Sequence, residues 1–304
     1  MTDVSLSDAL ARLDARLAVL LPPQYRDRYQ DMTPVPMRSA PFVYDDGGQV
    51  AWDRMWQGFC DLAMAGGPPH KGRWLAPATA AEVAGAPERY DEVVTEIRRG
   101  IALATGLDAR PSDTPGWVPV ACHGEAMAEW MTRAIVMENV AARRGRLHVS
   151  VPAAPEFRVE KEIRNVITVV SKTSHYWVDH MPYSQQAAIR ALFHELSLEG
   201  VVVPPVADAT TLEASVALAL VQAFAAHGEL SATPSAAPGW VGVPCASAEH
   251  AIWMMRALVA SNVLARREET TLLVPVNPVA DPAGTMVAAR VTRVQALARH
   301  AGRA

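Results

Sequence analysis

Apolar residues recur along this chain in two alternating rhythms. Short runs such as GWVPVAC at 116–122 and RLHVSVP at 146–152 read as strands. Between them, HGEAMAEWMTRAIVMENVAARR at 123–144 spaces Met127, Met131, Ala134, Glu138 and Ala141 at helical intervals. After Pro152, VEKEIRNVITVV brings Val159, Ile163, Val166 and Val170 towards one face and predicts a second helix. The order from residue 115 onward is strand, helix, strand, helix.

The same pattern returns later in the chain. PGWVPVAC at 115–122 recurs as PGWVGVPC at 238–245, and AEWMTRAIVMENVAARR at 128–144 recurs as AIWMMRALVASNVLARR at 251–267. Over 115–155 the match is 20 of 41 positions without a gap at a constant offset of 123 residues, which predicts a duplicated subdomain. In the later copy Thr285 is expected to cap a helix bearing Met286, Val291, Val294 and Leu297. A further helix precedes each first strand: Pro87 and Gly106 bracket one, and Thr210 with Glu213 has capping-box spacing at the start of the other.

Two strands joined by a helix of this length are most simply parallel, so the expected fold class is α/β, with duplicated β-α-β-α units, a mainly parallel sheet and flanking helices. The predicted division is an N-terminal helical or mixed region at 1–86, a first α/β unit at 87–173, an inserted segment at 174–209 and a second α/β unit at 210–304. Within 1–86, Leu6, Leu10, Leu13, Leu17 and Leu20 form a helical stripe, and QVAWDRMWQGFCDLAMAGG at 49–67 reads as a helix. The Glu96-Ile97-Arg98 triplet recurs as Glu162-Ile163-Arg164 without the constant offset, which fits chance as well as a degenerate third copy.

Composition narrows the function. With 304 residues, 50% apolar and 20% charged, the chain can bury its own core without disulfides or a structural metal. A net charge of −4 argues against general nucleic-acid binding or attachment to an anionic membrane. Cys60, Cys122 and Cys245 form neither a disulfide framework nor a metal knuckle, so a cytoplasmic location is expected. Asp3, Asp8 and Asp14 stand where a signal peptide wants basic residues, and the most apolar run, 216–226, is shorter than the roughly 20 residues that span a bilayer.

Three segments carry candidate chemistry. Cys122 and Cys245 occupy equivalent strand-to-helix junctions, but only Cys122 is followed by His123 and Glu125, which makes Cys122 the candidate nucleophile and His123 a proton carrier; the competing reading is a small apolar core residue. GGPPHKGR at 66–73 presents His70, Lys71 and Arg73 to a carboxylate or phosphate, or is simply a stiff surface turn. SHYWVDH at 174–180 places His175 and Asp179 four residues apart as an acid–base pair, with Tyr176 and Trp177 as a stacking wall and His180 less well phased. Arg133 and Asn139 recur as Arg256 and Asn262, to bind substrate or to brace helix ends. The Arg143-Arg144 and Arg266-Arg267 pairs read as solvated helix C-termini, and Trp130 and Trp253 as packing ridges.

HELSL at 194–198 lacks the second histidine of a zincin, and neither a nucleophile elbow nor a phosphate loop is present. No spacing names a cofactor or a metal. The expected function is that of a soluble enzyme acting on a small polar or anionic metabolite through Cys/His acid–base or nucleophilic chemistry, with His70, Lys71, Arg73, Arg133, Asn139, Tyr176, Trp177 and His180 binding substrate. The alternatives are a noncatalytic metabolite-binding or assembly protein and a divalent-metal-dependent enzyme; a homo-oligomer is left open.

Overall fold

The computed structural model describes residues 3–29, 42–55, 73–199, 211–227 and 230–304. Cys60, His70, Lys71, Thr210 and most of the helix expected at 49–67 lie outside the described residues. The chain divides into two compact units: a continuous one, Met32–His180, and a split one, Met1–Asp31 with Met181–Ala304. No helix among the described residues is long and apolar enough to cross a membrane.

The chain opens with α1 (Asp3–Leu20), which belongs to the split unit and buries Leu13, Leu17 and Leu20. In the continuous unit, Thr79 and Glu82 form a capping box that starts α2 (Ala80–Gly85). Helix α3 (Pro87–Thr105) begins on a proline and ends at Gly106, whose φ of 70° only glycine adopts freely. Next come β1 (Trp117–Ala121), α4 (Glu125–Met137), β2 (Arg143–Arg144), β3 (His148–Pro152) and α5 (Arg164–His175). Turns of π-helix, Val159–Ile163 and Tyr176–His180, flank α5. Helices α3 and α5 approach closely at Gly100, where a Cβ would stand 2.2 Å from Ile167 Cδ1.

The sheets are small and antiparallel, which corrects the expected mainly parallel α/β arrangement. Strand order is β1-β3-β2, with Trp117 opposite Pro152 and Arg143 opposite Ser150, both pairings antiparallel. The misread residues are the arginine pair. Asn139 takes a left-handed φ of 61° and stops α4, so Arg143-Arg144 forms a strand and not a helix end. Gly145–Leu147 then turns β2 into β3, and a connection that short enforces antiparallel pairing. Strands β1 and β2 do run the same way, as a helical crossover implies, but β3 lies between them.

The split unit continues with α6 (Tyr183–Leu198), α7 (Thr211–His227), β4 (Thr233–Pro234), β5 (Trp240–Pro244), α8 (Ala248–Ala260), β6 (Arg266–Glu268), β7 (Thr271–Pro275) and α9 (Thr285–His300). Its antiparallel sheet has the order β4-β5-β7-β6. Trp240 opposes Pro275 and Arg266 opposes Leu273, each 123 residues beyond its counterpart in the continuous unit. Asn262, at φ 62°, ends α8 as Asn139 ends α4. Arg266 is fully buried and lies over the Trp240 ring at 4.8 Å, while Arg143 lies over Trp117 at 4.4 Å. Thr285 is the first residue of α9 and not its cap; Gly284 precedes it, and Asp281 Oδ2 accepts from Val287 N at 2.9 Å.

Candidate functional site

Helix α5 is buried almost all round, yet one of its faces is polar. Arg164, Thr168, Ser171 and Lys172 are buried and His175 is half-buried, at the i, i+4, i+7, i+8 and i+11 positions that share one side of a helix. The hydroxyls of Thr168 and Ser171 donate back to the carbonyls of Arg164 and Ile167, both at 2.7 Å. Lys172 Nζ donates to Glu138 Oε1 at 3.1 Å, tying α5 to the end of α4. Burial lowers the pKa of the Arg164 guanidinium, whose carbon sits 4.9 Å over the Phe42 ring.

In the split unit the positions 123 residues further on are Val287, Val291, Val294, Gln295 and Ala298, all buried on α9. A scaffold with the same strand register thus fills this face with three valines, a glutamine and an alanine, where the continuous unit carries two cations, two hydroxyls and an imidazole. Burying a charge costs several kcal/mol per ion even after relaxation, and the split unit carries that cost at Arg266 but not on this face. Glu129 follows the same rule: it joins Arg133 at 2.7 Å and Arg144 at 2.8 Å, and its counterpart is buried Ile252.

The polar face ends in a histidine pair. Within an α-helix a residue at i+5 points away from i, but the π-helical turn Tyr176–His180 carries His180 back beside His175. Their Nε2 atoms are 3.0 Å apart, with ring planes at 84°. His175 Nδ1 meets Asp179 Oδ2 at 2.6 Å. A carboxylate only accepts, so Nδ1 carries the proton, and a single proton lies between the two Nε2 atoms. Burial, then the neighbouring His175, lowers the pKa of His180, while Asp179 opposes the shift.

Of the other expected site residues, Tyr176 adjoins this face, its ring 5.7 Å from that of His180 and 5.9 Å from Lys172 Nζ. Tyr176 and Trp177 are buried, and Trp177 packs on Trp130 with ring centroids 5.9 Å apart, so they form wall and core. Asn139 is buried at its helix-ending position, with its carbonyl accepting from Leu75 N at 2.9 Å. Arg133 is buried on α4 against Glu129, and burial pulls its pKa down. His123 and Arg73 are exposed. Cys122 does stand between β1 and α4, but burial pushes its thiol up to about 12, and Sγ donates to Val120 O at 3.7 Å. His123 N donates to Met127 Sδ at 3.3 Å.

Sequence reasoning missed Arg164, Thr168, Ser171, Lys172, Glu129 and Glu138. The signal was present in the offset itself: shifting α5 by 123 residues converts its polar face to three valines, a glutamine and an alanine. Comparison with protein-family models, curated proteins and solved structures finds no match.

Proposed function

We propose that the continuous unit binds a small anionic metabolite along the polar face of α5, and that His175, oriented by Asp179, exchanges a proton with it. We infer also that the chain carries two copies of one unit, of which the split copy has three valines, a glutamine and an alanine on the matching face of α9. The observation that carries the reading is the replacement of Val287, Val291, Val294, Gln295 and Ala298 by Arg164, Thr168, Ser171, Lys172 and His175 at matched positions. Arg164 and Lys172 supply donors to a carboxylate or phosphate, and low local dielectric strengthens both contacts. A histidine held by a carboxylate is a proton carrier near neutral pH.

Cys122 has no part in this chemistry, since a thiol raised to about 12 holds almost no thiolate at neutral pH. That same protonated thiol favours a second reading, in which the anion is bound and not transformed. A cytoplasmic setting suits both.

Isothermal titration of the full chain with inorganic phosphate and with malonate tests the site. Binding in the millimolar range or tighter is expected, and Arg164→Val should abolish it while circular dichroism stays unchanged. Failure of both anions to bind the unaltered chain would overturn the reading.

A further inference from the structure

We propose that His175 and His180 form a binding site for a divalent transition-metal ion of the nitrogen-preferring kind, Zn²⁺, Ni²⁺ or Cu²⁺. Metal–imidazole bonds of about 2.0–2.1 Å place two adjacent ligand nitrogens roughly 2.9–3.4 Å apart, for octahedral to tetrahedral angles. The observed Nε2···Nε2 separation of 3.0 Å falls in that interval. The π-helical turn, which brings residue i+5 back beside residue i, is what creates the pair.

The outer contacts suit a metal as well. Asp179 holds His175 through Nδ1 at 2.6 Å, which leaves Nε2 as the ligating nitrogen. His175 is a quarter exposed at its side chain and His180 is partly exposed, so an ion can enter and keep water ligands. Among the described residues no group of three His, Cys, Asp or Glu is placed to hold a metal, so the described residues contribute two nitrogens and leave the other positions to water. Calcium and magnesium, which prefer oxygen ligands, are excluded by that donor set.

Binding displaces the proton shared between the two Nε2 atoms, which moves to His180 Nδ1, so that two neutral imidazoles ligate the ion through Nε2. Where His175 exchanges protons with a metabolite, as proposed above, an occupied pair is an inhibited one. The metal assignment itself rests on the pair's geometry and not on that reading.

The test is calorimetric titration of Zn²⁺ into the untagged, chelator-treated full chain, repeated on His175→Ala, His180→Ala, Asp179→Asn and, as a control, the exposed His194→Ala. One site is expected, weakened about tenfold or more by either histidine change and by a smaller factor by Asp179→Asn, and unaffected at His194. Absence of Zn²⁺ binding, or equal affinity in the unaltered, His175→Ala and His180→Ala chains, overturns the proposal. Phosphate titration of the same variants separates this outcome from failure of the anion reading, because Arg164 is intact in all of them.

Discussion

Lys172 and Glu138 meet at 3.1 Å, the ammonium buried on α5 and the carboxylate at the end of α4, where the split unit has Gln295 and Ser261. A buried pair is costly to assemble and costlier to break from one side. Lys172→Met should destabilise the continuous unit by about 3–5 kcal/mol, and a double change with Glu138→Met should recover much of that loss. Chemical denaturation of the three variants checks it; a Lys172→Met chain as stable as the unaltered one would show that the pair is solvated.

Acid should weaken the split unit through His250. This imidazole is buried, with Nδ1 accepting from Ala246 N at 3.2 Å and Nε2 at 3.0 Å from Gln295 Oε1. Burial is the largest influence and lowers its pKa, with Gln295 opposing and Arg299 assisting. The folded form therefore binds fewer protons than the unfolded one. Its contribution is complete above the unfolded value of about 6.5 and is lost as pH falls below it. The corresponding residue of the continuous unit is Met127, whose sulfur accepts from His123 N. His250→Met should accordingly flatten the stability profile below about pH 6.5 while preserving the fold. An unchanged slope would assign the acid sensitivity elsewhere, with His180 the other described histidine whose pKa is lowered.

The periodicity of the sequence identified most helices and the two most apolar strands of each sheet, because those elements bury continuous apolar faces. It missed the direction of pairing, because two arginines carry no β signal of their own. Arg143 and Arg266 enter strands by stacking on Trp117 and Trp240, a contact visible only once the chain is folded. The His175–Asp179 contact was legible as an i, i+4 spacing. The placement of His180 was not, since helical phasing turns it away and only the π turn restores it. The buried polar face of α5 was not legible, because Val159, Ile163, Val166 and Val170 account for a helix without it.

Thiol chemistry should be silent in the native protein. Burial raises Cys122 to about 12 and Cys245 to about 11, so at pH 7.5 neither should react appreciably with iodoacetamide over times that label the unfolded chain fully. Peptide mass mapping reports each cysteine separately. Rapid, selective modification of Cys122 would mean that the strand-to-helix junction opens in solution and would return that thiol to the list of reacting groups.

Converting the polar face to its counterpart sequence should separate stability from function. Arg164→Val, Lys172→Gln and His175→Ala, combined with Glu138→Ser to remove the partner carboxylate, reproduce in the continuous unit what Val287, Gln295, Ala298 and Ser261 provide in the split one. Replacing buried charges together by well-packed neutral groups is often neutral or stabilising by about 1–4 kcal/mol, in contrast to the single change at Lys172. The fourfold variant should therefore unfold at a denaturant concentration equal to or above that of the unaltered chain, yet bind neither phosphate nor Zn²⁺. Loss of folding would mean that the polar groups of α5 brace the unit. Retained phosphate binding would mean that the anion is held elsewhere.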